Sequence, residues 1–173
     1  MTERRSFLDL LAIELAFASG IGRLPKAPGT FGSIPGLAMG ALLHTGAVAF
    51  SDDLGLRVVV ITSGLVLLTL IALWSIHRTE RILGIHDDGR IVIDEVAGQA
   101  IAVAFFTPTV FSLVLGFVLF RILDISKPGP IGWCDRHLPG AWGTLVDDLL
   151  AGAVAGLLLA LAGFVIAYAK IAV

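Results

Sequence analysis

The sequence predicts an all-α polytopic membrane protein, and three observations carry that prediction. Hydrophobic residues make up 57% of the 173-residue chain and charged residues only 15%, against about 45–50% and 25% in soluble domains. The mean hydropathy is +0.94. Several apolar stretches approach the roughly 20 residues that a helix needs to cross the hydrocarbon core. The expected architecture is about three full spans, a central helical hairpin and an N-terminal amphipathic helix, in a single domain, 1–173. A net charge of −2 and the lack of any dense basic stretch argue against nucleic acid as a partner. Cys134 is the sole cysteine, so the chain has neither an intrachain disulfide nor a cysteine-based metal knuckle.

Each element follows from its own residues. After Arg4 and Arg5, the stretch SFLDLLAIELAFAS carries Asp9 and Glu14 where a secretory signal would stay apolar. Its apolar residues recur at helical spacing, which predicts an interfacial amphipathic helix. GIGRLPKAPGTFGS (20–33) reads as a loop. Residues 34–50 form a short first span with Pro35 in the first turn, where proline is tolerated. Residues 57–76 form the cleanest span. Residues 149–169 form the last, rich in the small residues that favour close helix packing. Between them, 96–120 is interrupted by Thr107-Pro108-Thr109. Proline removes a helical hydrogen bond and disfavours helix in the residue before it. A hairpin of two helices, about 91–106 and 109–123, is therefore expected in place of one kinked span.

Charge supports the hairpin. It places Arg4, Arg5, Arg23, Lys26, Arg78, Arg81, Arg90, Arg121, Lys127 and Arg136 on one side, and only Arg57 and Lys170 on the other. The split is 10 against 2, which makes the first side cytoplasmic by the positive-inside rule; a single kinked span would move Arg121, Lys127 and Arg136 to the opposite side and weaken that bias. The cytoplasmic side then gathers HDDGRIVIDE (86–95), FRILDISKPGPI (120–131), the loop WCDRHLPG (133–140), GTLVDD (143–148) and the 20–33 loop.

These stretches hold the candidate chemistry. Asp94-Glu95 and Asp147-Asp148 are acidic pairs that each open an apolar segment. Stabilisation by a helix dipole, about 0.3–1 kcal/mol, is the bland account of such pairs. Against it, carboxylates beside hydrocarbon are costly without a compensating cation. Clustered oxygens without cysteine suit a hard ion such as Mg²⁺. The glycine-rich 26–33 loop before a helix attracts anions, though most such loops are only turns. Arg121 and Lys127 supply fixed positive charge for a phosphate, unless they merely snorkel to the interface. His86 is an acid–base candidate or a bystander, and His44, His77 and His137 carry no assignment. Acids that hold a metal and bases that hold a phosphate, on one membrane face, suit phosphoryl chemistry on a lipid headgroup.

Four blocks, PGTFGS (28–33), HDDGRIVIDE (86–95), FRILDISKPGPI (120–131) and GTLVDDLLAG (143–152), resemble the phosphatidylglycerophosphatase A family in order and spacing. The resemblance implies a Mg²⁺-dependent lipid phosphatase of the bacterial cytoplasmic (inner) membrane, with its active-site face cytoplasmic. It would hydrolyse phosphatidylglycerophosphate, an anionic phospholipid, to phosphatidylglycerol and phosphate. The implied metal ligands are Asp87, Asp94, Glu95, Asp124, Asp147 and Asp148. All of these except Asp87 are also catalytic candidates. Gly29, Thr30, Ser33, Arg121 and Lys127 are implied to bind the substrate phosphate. Gly129 stands where the family often carries an aromatic residue, a departure that bears on packing or lipid contact more than on chemistry.

Other phosphotransfer signatures are missing from the sequence. Asp124-Ile125-Ser126 lacks the second aspartate of an aspartyl-phosphate motif, no PSGH stretch supplies a histidine nucleophile, and no CxxxxxR loop follows Cys134. Direct attack by metal-activated water remains by elimination. Two other classes compete. A lipid-alcohol phosphotransferase would continue Asp88-Gly89-Arg90 as DGxxAR, which this chain does not. A transporter would place acids near midspan, where these spans hold only His44.

Overall fold

The computed structural model describes residues 5–171, so Arg4 and the outermost ends of the expected 1–173 domain lie outside the described residues. Those residues are helical, with no strand among them. In order they form α1 (Phe7–Ala16), a 3-10 turn (Ile21–Arg23), α2 (Pro28–Phe50), α3 (Leu54–Leu83), α4 (Ile93–Val103), α5 (Val110–Ser126), α6 (Pro130–His137) and α7 (Ala141–Ile171). Three of them, α2, α3 and α7, are long and apolar enough to cross a membrane.

Local chemistry starts and stops these helices. Ser6 and Asp9 form a reciprocal capping box at α1. The Asp53 carboxylate accepts from Leu56 N–H at 2.7 Å to open α3, and Gly84 closes it in the left-handed conformation (φ 68). Helix α1 then lies along α3, where Arg78 donates to Asp9 at 2.8 Å. Phe7, Leu8, Leu10 and Leu11 stay exposed on its outer face, as an interfacial helix requires.

The hairpin is present as α4 and α5. Their 11 and 17 residues correspond to about 17 and 26 Å of helix, short of the ~30 Å hydrocarbon core. Arg121, near the end of α5, stands 3.8 Å from Glu95 at the start of α4, so the chain returns to the level it left. A backbone turn inside a bilayer must satisfy its own polar groups. Here Thr109 and Ser112 cap α5 reciprocally, and Ser112 Oγ donates to the Thr107 carbonyl at 2.6 Å.

Helix α4 sits between α2 and α7 and is buried along nearly its whole length. Glycine makes that possible. A methyl at Gly36 would lie 2.7 Å from the Val96 carbonyl oxygen, and one at Gly152 only 2.1 Å from that of Gly98. Backbones approach this closely only where side chains are absent.

Three boundaries differ from expectation. Helix α2 begins at Pro28, with Pro35 inside it, so PGTFGS is two helical turns and not a loop; packing of Gly32 and Gly36 on α4 outweighs their poor helix propensity. The stretch 133–140, expected as a loop, is mostly α6. Helix α7 begins at Ala141, which puts Asp147 and Asp148 in its second turn. Dipole stabilisation fades beyond the first turn, so it does not account for this pair, whereas Asp94 and Glu95 do lie in the first turn of α4.

Candidate active site

The start of α2, the segment that follows α3, both ends of the hairpin, α6 and the start of α7 converge at one end of the bundle. They enclose a cavity of about 290 Å³. Arg57, in the first turn of α3, and Lys170, in the last turn of α7, belong to the opposite end.

Asp94, Glu95 and Asp148 form the centre. One carboxylate oxygen from each lies within 4.8 Å of the others. Burial, then the charges of Glu95 and Asp148, push Asp94 well above the usual carboxylate range. Burial also raises Glu95. Glu95 is pressed against the first turn of α2, where a methyl on Gly29 would lie 1.9 Å from its Oε1. Its Oε2 is buried and finds no hydrogen-bond partner among the described residues.

The other predicted acids are tied to the two cations. Arg121 pairs with Asp124 through Nη1 and lies 3.4 Å from the Ser33 hydroxyl. Lys127 closes α5 in a left-handed conformation (φ 44). From there it pairs with Asp135 and, at 2.7 Å, with Asp147 Oδ2. Burial opposes the Lys127 charge, but the hydrogen bonds it donates to Asp135 and Asp147 outweigh it and raise the group above its ordinary value. Asp147 Oδ1 remains buried without a partner among the described residues. Asp87, with φ +50, lines the rim and is exposed, outside the central trio. Gly29 lines the cavity, but Thr30 and Ser33 do not. Ser33 is buried one turn further along α2, donating to the Gly29 carbonyl at 2.9 Å.

Two contributors escaped the sequence reading. Glu80, near the end of α3, accepts from Asp87 N–H at 3.0 Å and the Thr144 hydroxyl at 3.2 Å, and pairs with His86 Nδ1 at 2.8 Å. It pins the 86–95 segment to α7. Asp135, in the stretch 133–140 that carried no assignment, shares Lys127 with Asp147. No motif flags either residue; only the register of a long α3 and a helical α6 brings them in.

Seven carboxylates (Asp87, Asp94, Glu95, Asp124, Asp135, Asp147, Asp148) and two cations (Arg121, Lys127) line the cavity. Such an excess of negative charge repels a phosphate unless cations enter with it. The oxygen-only donor set and the unpartnered Glu95 and Asp147 oxygens fit a hard divalent ion.

Fold and site define a polytopic helical membrane protein with an acidic cavity, carrying two fixed cations, at one end of its bundle. Residues 14–163 match the family model described as phosphatidylglycerophosphatase A, and the chain belongs to that family. It is 36% identical to phosphatidylglycerophosphatase A of Escherichia coli (strain K12) over 83% of this chain and 79% of that protein. The corresponding Haemophilus influenzae protein is 35% identical over 79% of each. A Bacteroides thetaiotaomicron protein called putative phosphatidylinositol-3-phosphatase is 34% identical over 95% of this chain and 99% of its own length. No solved structure matches significantly. The chain is accordingly an enzyme of the phosphatase class, acting on a phosphate monoester.

Proposed function

We propose that this enzyme is a Mg²⁺-dependent lipid phosphatase that converts phosphatidylglycerophosphate to phosphatidylglycerol and inorganic phosphate. We place it in the bacterial inner membrane with its cavity on the cytoplasmic side. The observation that carries this reading is the cavity itself, where a carboxylate trio of buried Asp94 and Asp148 and half-buried Glu95 stands beside Arg121 and Lys127 at the end of three membrane-length helices.

Asp94, Glu95 and Asp148 would hold the Mg²⁺. When bound, the ion supplies neutralisation of phosphate charge and makes water more acidic. Arg121 and Lys127 bind the terminal phosphate oxygens, and Asp124 and Asp135 orient those two cations. Asp147, held at Oδ2 by Lys127 and without a partner at Oδ1 among the described residues, would take a proton from water and return it to the departing alkoxide. Water attacks phosphorus, the P–O bond to the terminal glycerol breaks, and phosphate and the lipid alcohol leave.

The test is phosphate release from phosphatidylglycerophosphate by the detergent-purified protein, with and without Mg²⁺, beside Asp94→Asn and Asp148→Asn. Release that needs Mg²⁺ and falls by about 10²-fold or more in folded variants is the expected result. A folded wild type with added metal and no release sinks the reading. Because one relative covering nearly the whole chain is named for phosphatidylinositol 3-phosphate, that lipid is assayed in parallel. Preference for it would keep the chemistry and move the headgroup.

A further inference from the structure

A second cavity, of about 380 Å³, lies next to the acidic one. Its walls are Leu123 of α5, Leu150 and Val154 of α7, and the turn Pro128–Gly129–Pro130–Ile131; among the described residues no polar side chain lines it. Two helix faces connect it to the site. Residues spaced by three, four or seven share one helical face. On α7 that face runs Asp147, Leu150, Val154. On the other wall, Leu123 lies one turn before Lys127, the residue that closes α5. The 2.7 Å contact between Lys127 and Asp147 therefore marks the border between an acidic cavity above and an apolar one below. From Asp147 to Val154 the face descends about 10 Å along α7, away from the site and into the stretch that crosses the membrane.

We propose that this apolar groove holds the proximal part of an acyl chain of the phospholipid whose phosphate occupies the acidic cavity, and so selects diacyl substrates. The inference rests on the lipid-phosphatase reading. A solvated phosphate group and an alkyl chain, joined through glycerol, match the order of the two cavities along both helices. Lipid tails are as apolar as these side chains, so moving a chain from bilayer to groove brings little hydrophobic gain. The groove acts by placing the lipid, holding the headgroup at the depth of Lys127 and Asp147. Its effect is on selectivity between chains, not on general membrane affinity.

Filling the groove tests this. Val154→Trp blocks it, while Leu161→Trp, on an exposed lipid-facing position of the same helix, serves as control. Each is assayed in mixed micelles on dioleoyl and dihexanoyl phosphatidylglycerophosphate. The wild type and the control should favour the long-chain lipid in kcat/KM. Val154→Trp should lose about tenfold on the dioleoyl substrate, within the range one misfit in an apolar pocket produces, and stay near wild type on the dihexanoyl one. Equal loss on both lipids, or an unchanged preference, overturns the proposal. A binding arm needs no turnover. Dioleoyl phosphatidic acid with a diazirine in its acyl chain should label residues 150–154, and phosphatidylglycerophosphate, but not phosphatidylcholine, should compete. Labelling spread evenly over the outer helix faces overturns the groove. If the wild type hydrolyses neither lipid, the phosphatase reading fails, and the crosslink still decides the groove.

Discussion

Glu95 and Gly29 show how one side chain depends on the absence of another. The Gly29 Cα faces Glu95 so closely that a methyl would fall 1.9 Å from the carboxylate oxygen. That oxygen ends a flexible side chain, so the clash is relieved by moving the carboxylate, at little cost in stability. Alanine is also the better helix former by about 1 kcal/mol. Gly29→Ala is therefore expected to keep the wild-type Tm and lower kcat/KM by about 10²-fold, the penalty for displacing a reacting group by about 1 Å. A variant with full activity would remove Glu95 from the site. Glu80 works differently, through the loop it holds. Glu80→Gln keeps the shape but weakens the acceptor for Asp87 N–H, His86 and Thr144. It should lower phosphatase activity by about tenfold, on the order of one charge-assisted hydrogen bond, and hydrogen exchange should rise locally at residues 84–91.

At the scale of elements, α4 decides the architecture. It is too short to span and survives because α2 and α7 cover it through glycine contacts. Gly152 and Gly163 test the point, since both lie on α7 and only one meets a neighbour. A methyl at Gly152 would meet the Gly98 backbone at 2.1 Å, whereas one at Gly163 meets nothing within 4 Å. Backbone cannot step aside as a side chain can, so Gly152→Ala should cost about 1–3 kcal/mol through overpacking. Gly163→Ala should leave thermal unfolding in detergent unchanged or raise it slightly, since alanine is the better helix former. Similar Tm values for the two would mean that α4 and α7 are not in contact at Gly98. The same contact runs beside Asp148, whose carbonyl a methyl at Gly98 would approach to 2.4 Å. Loosening α4 therefore also separates the carboxylate trio.

For the whole molecule, the concentration of acid at one end creates a linkage between pH, metal and stability. Burial and its acidic neighbours hold Asp94 above the usual carboxylate range. A carboxyl raised on folding binds its proton more tightly in the native state. Its contribution is therefore present below the unfolded pKa of about 3.9 and lost as pH rises through the folded value. Without a divalent ion the fold should weaken over that window. The proposed Mg²⁺ needs deprotonated ligands, so its stabilisation should grow in the same direction. Melting in detergent is expected to show a small Mg²⁺-induced rise in Tm at pH 5 and a larger one at pH 8. Asp94→Asn should raise the metal-free Tm at pH 8 and flatten the Mg²⁺ response. A Mg²⁺ effect equal at both pH values, or unchanged in the variant, would separate the metal from this trio.

The class of protein, its three long helices and the break at Pro108 were legible along the chain, because hydropathy, proline chemistry and lysine–arginine bias are local properties. Thr107-Pro108-Thr109 marked the turn, and its capping by Ser112 completed it. The acidic and basic residues of the cavity were also legible as types, since a hydrophobic chain has few reasons to keep charge beside its spans. What tertiary structure alone decided was who meets whom. Six acids looked equivalent in sequence. Packing of α4 between α2 and α7 brings Asp94, Glu95 and Asp148 together, leaves Asp124 and Asp147 to Arg121 and Lys127, and puts Asp87 at the rim. The early starts of α2 and α7 were hidden for the same reason. Contact between glycine-lined backbones, which no single segment encodes, makes helix of residues whose own propensities favour loop.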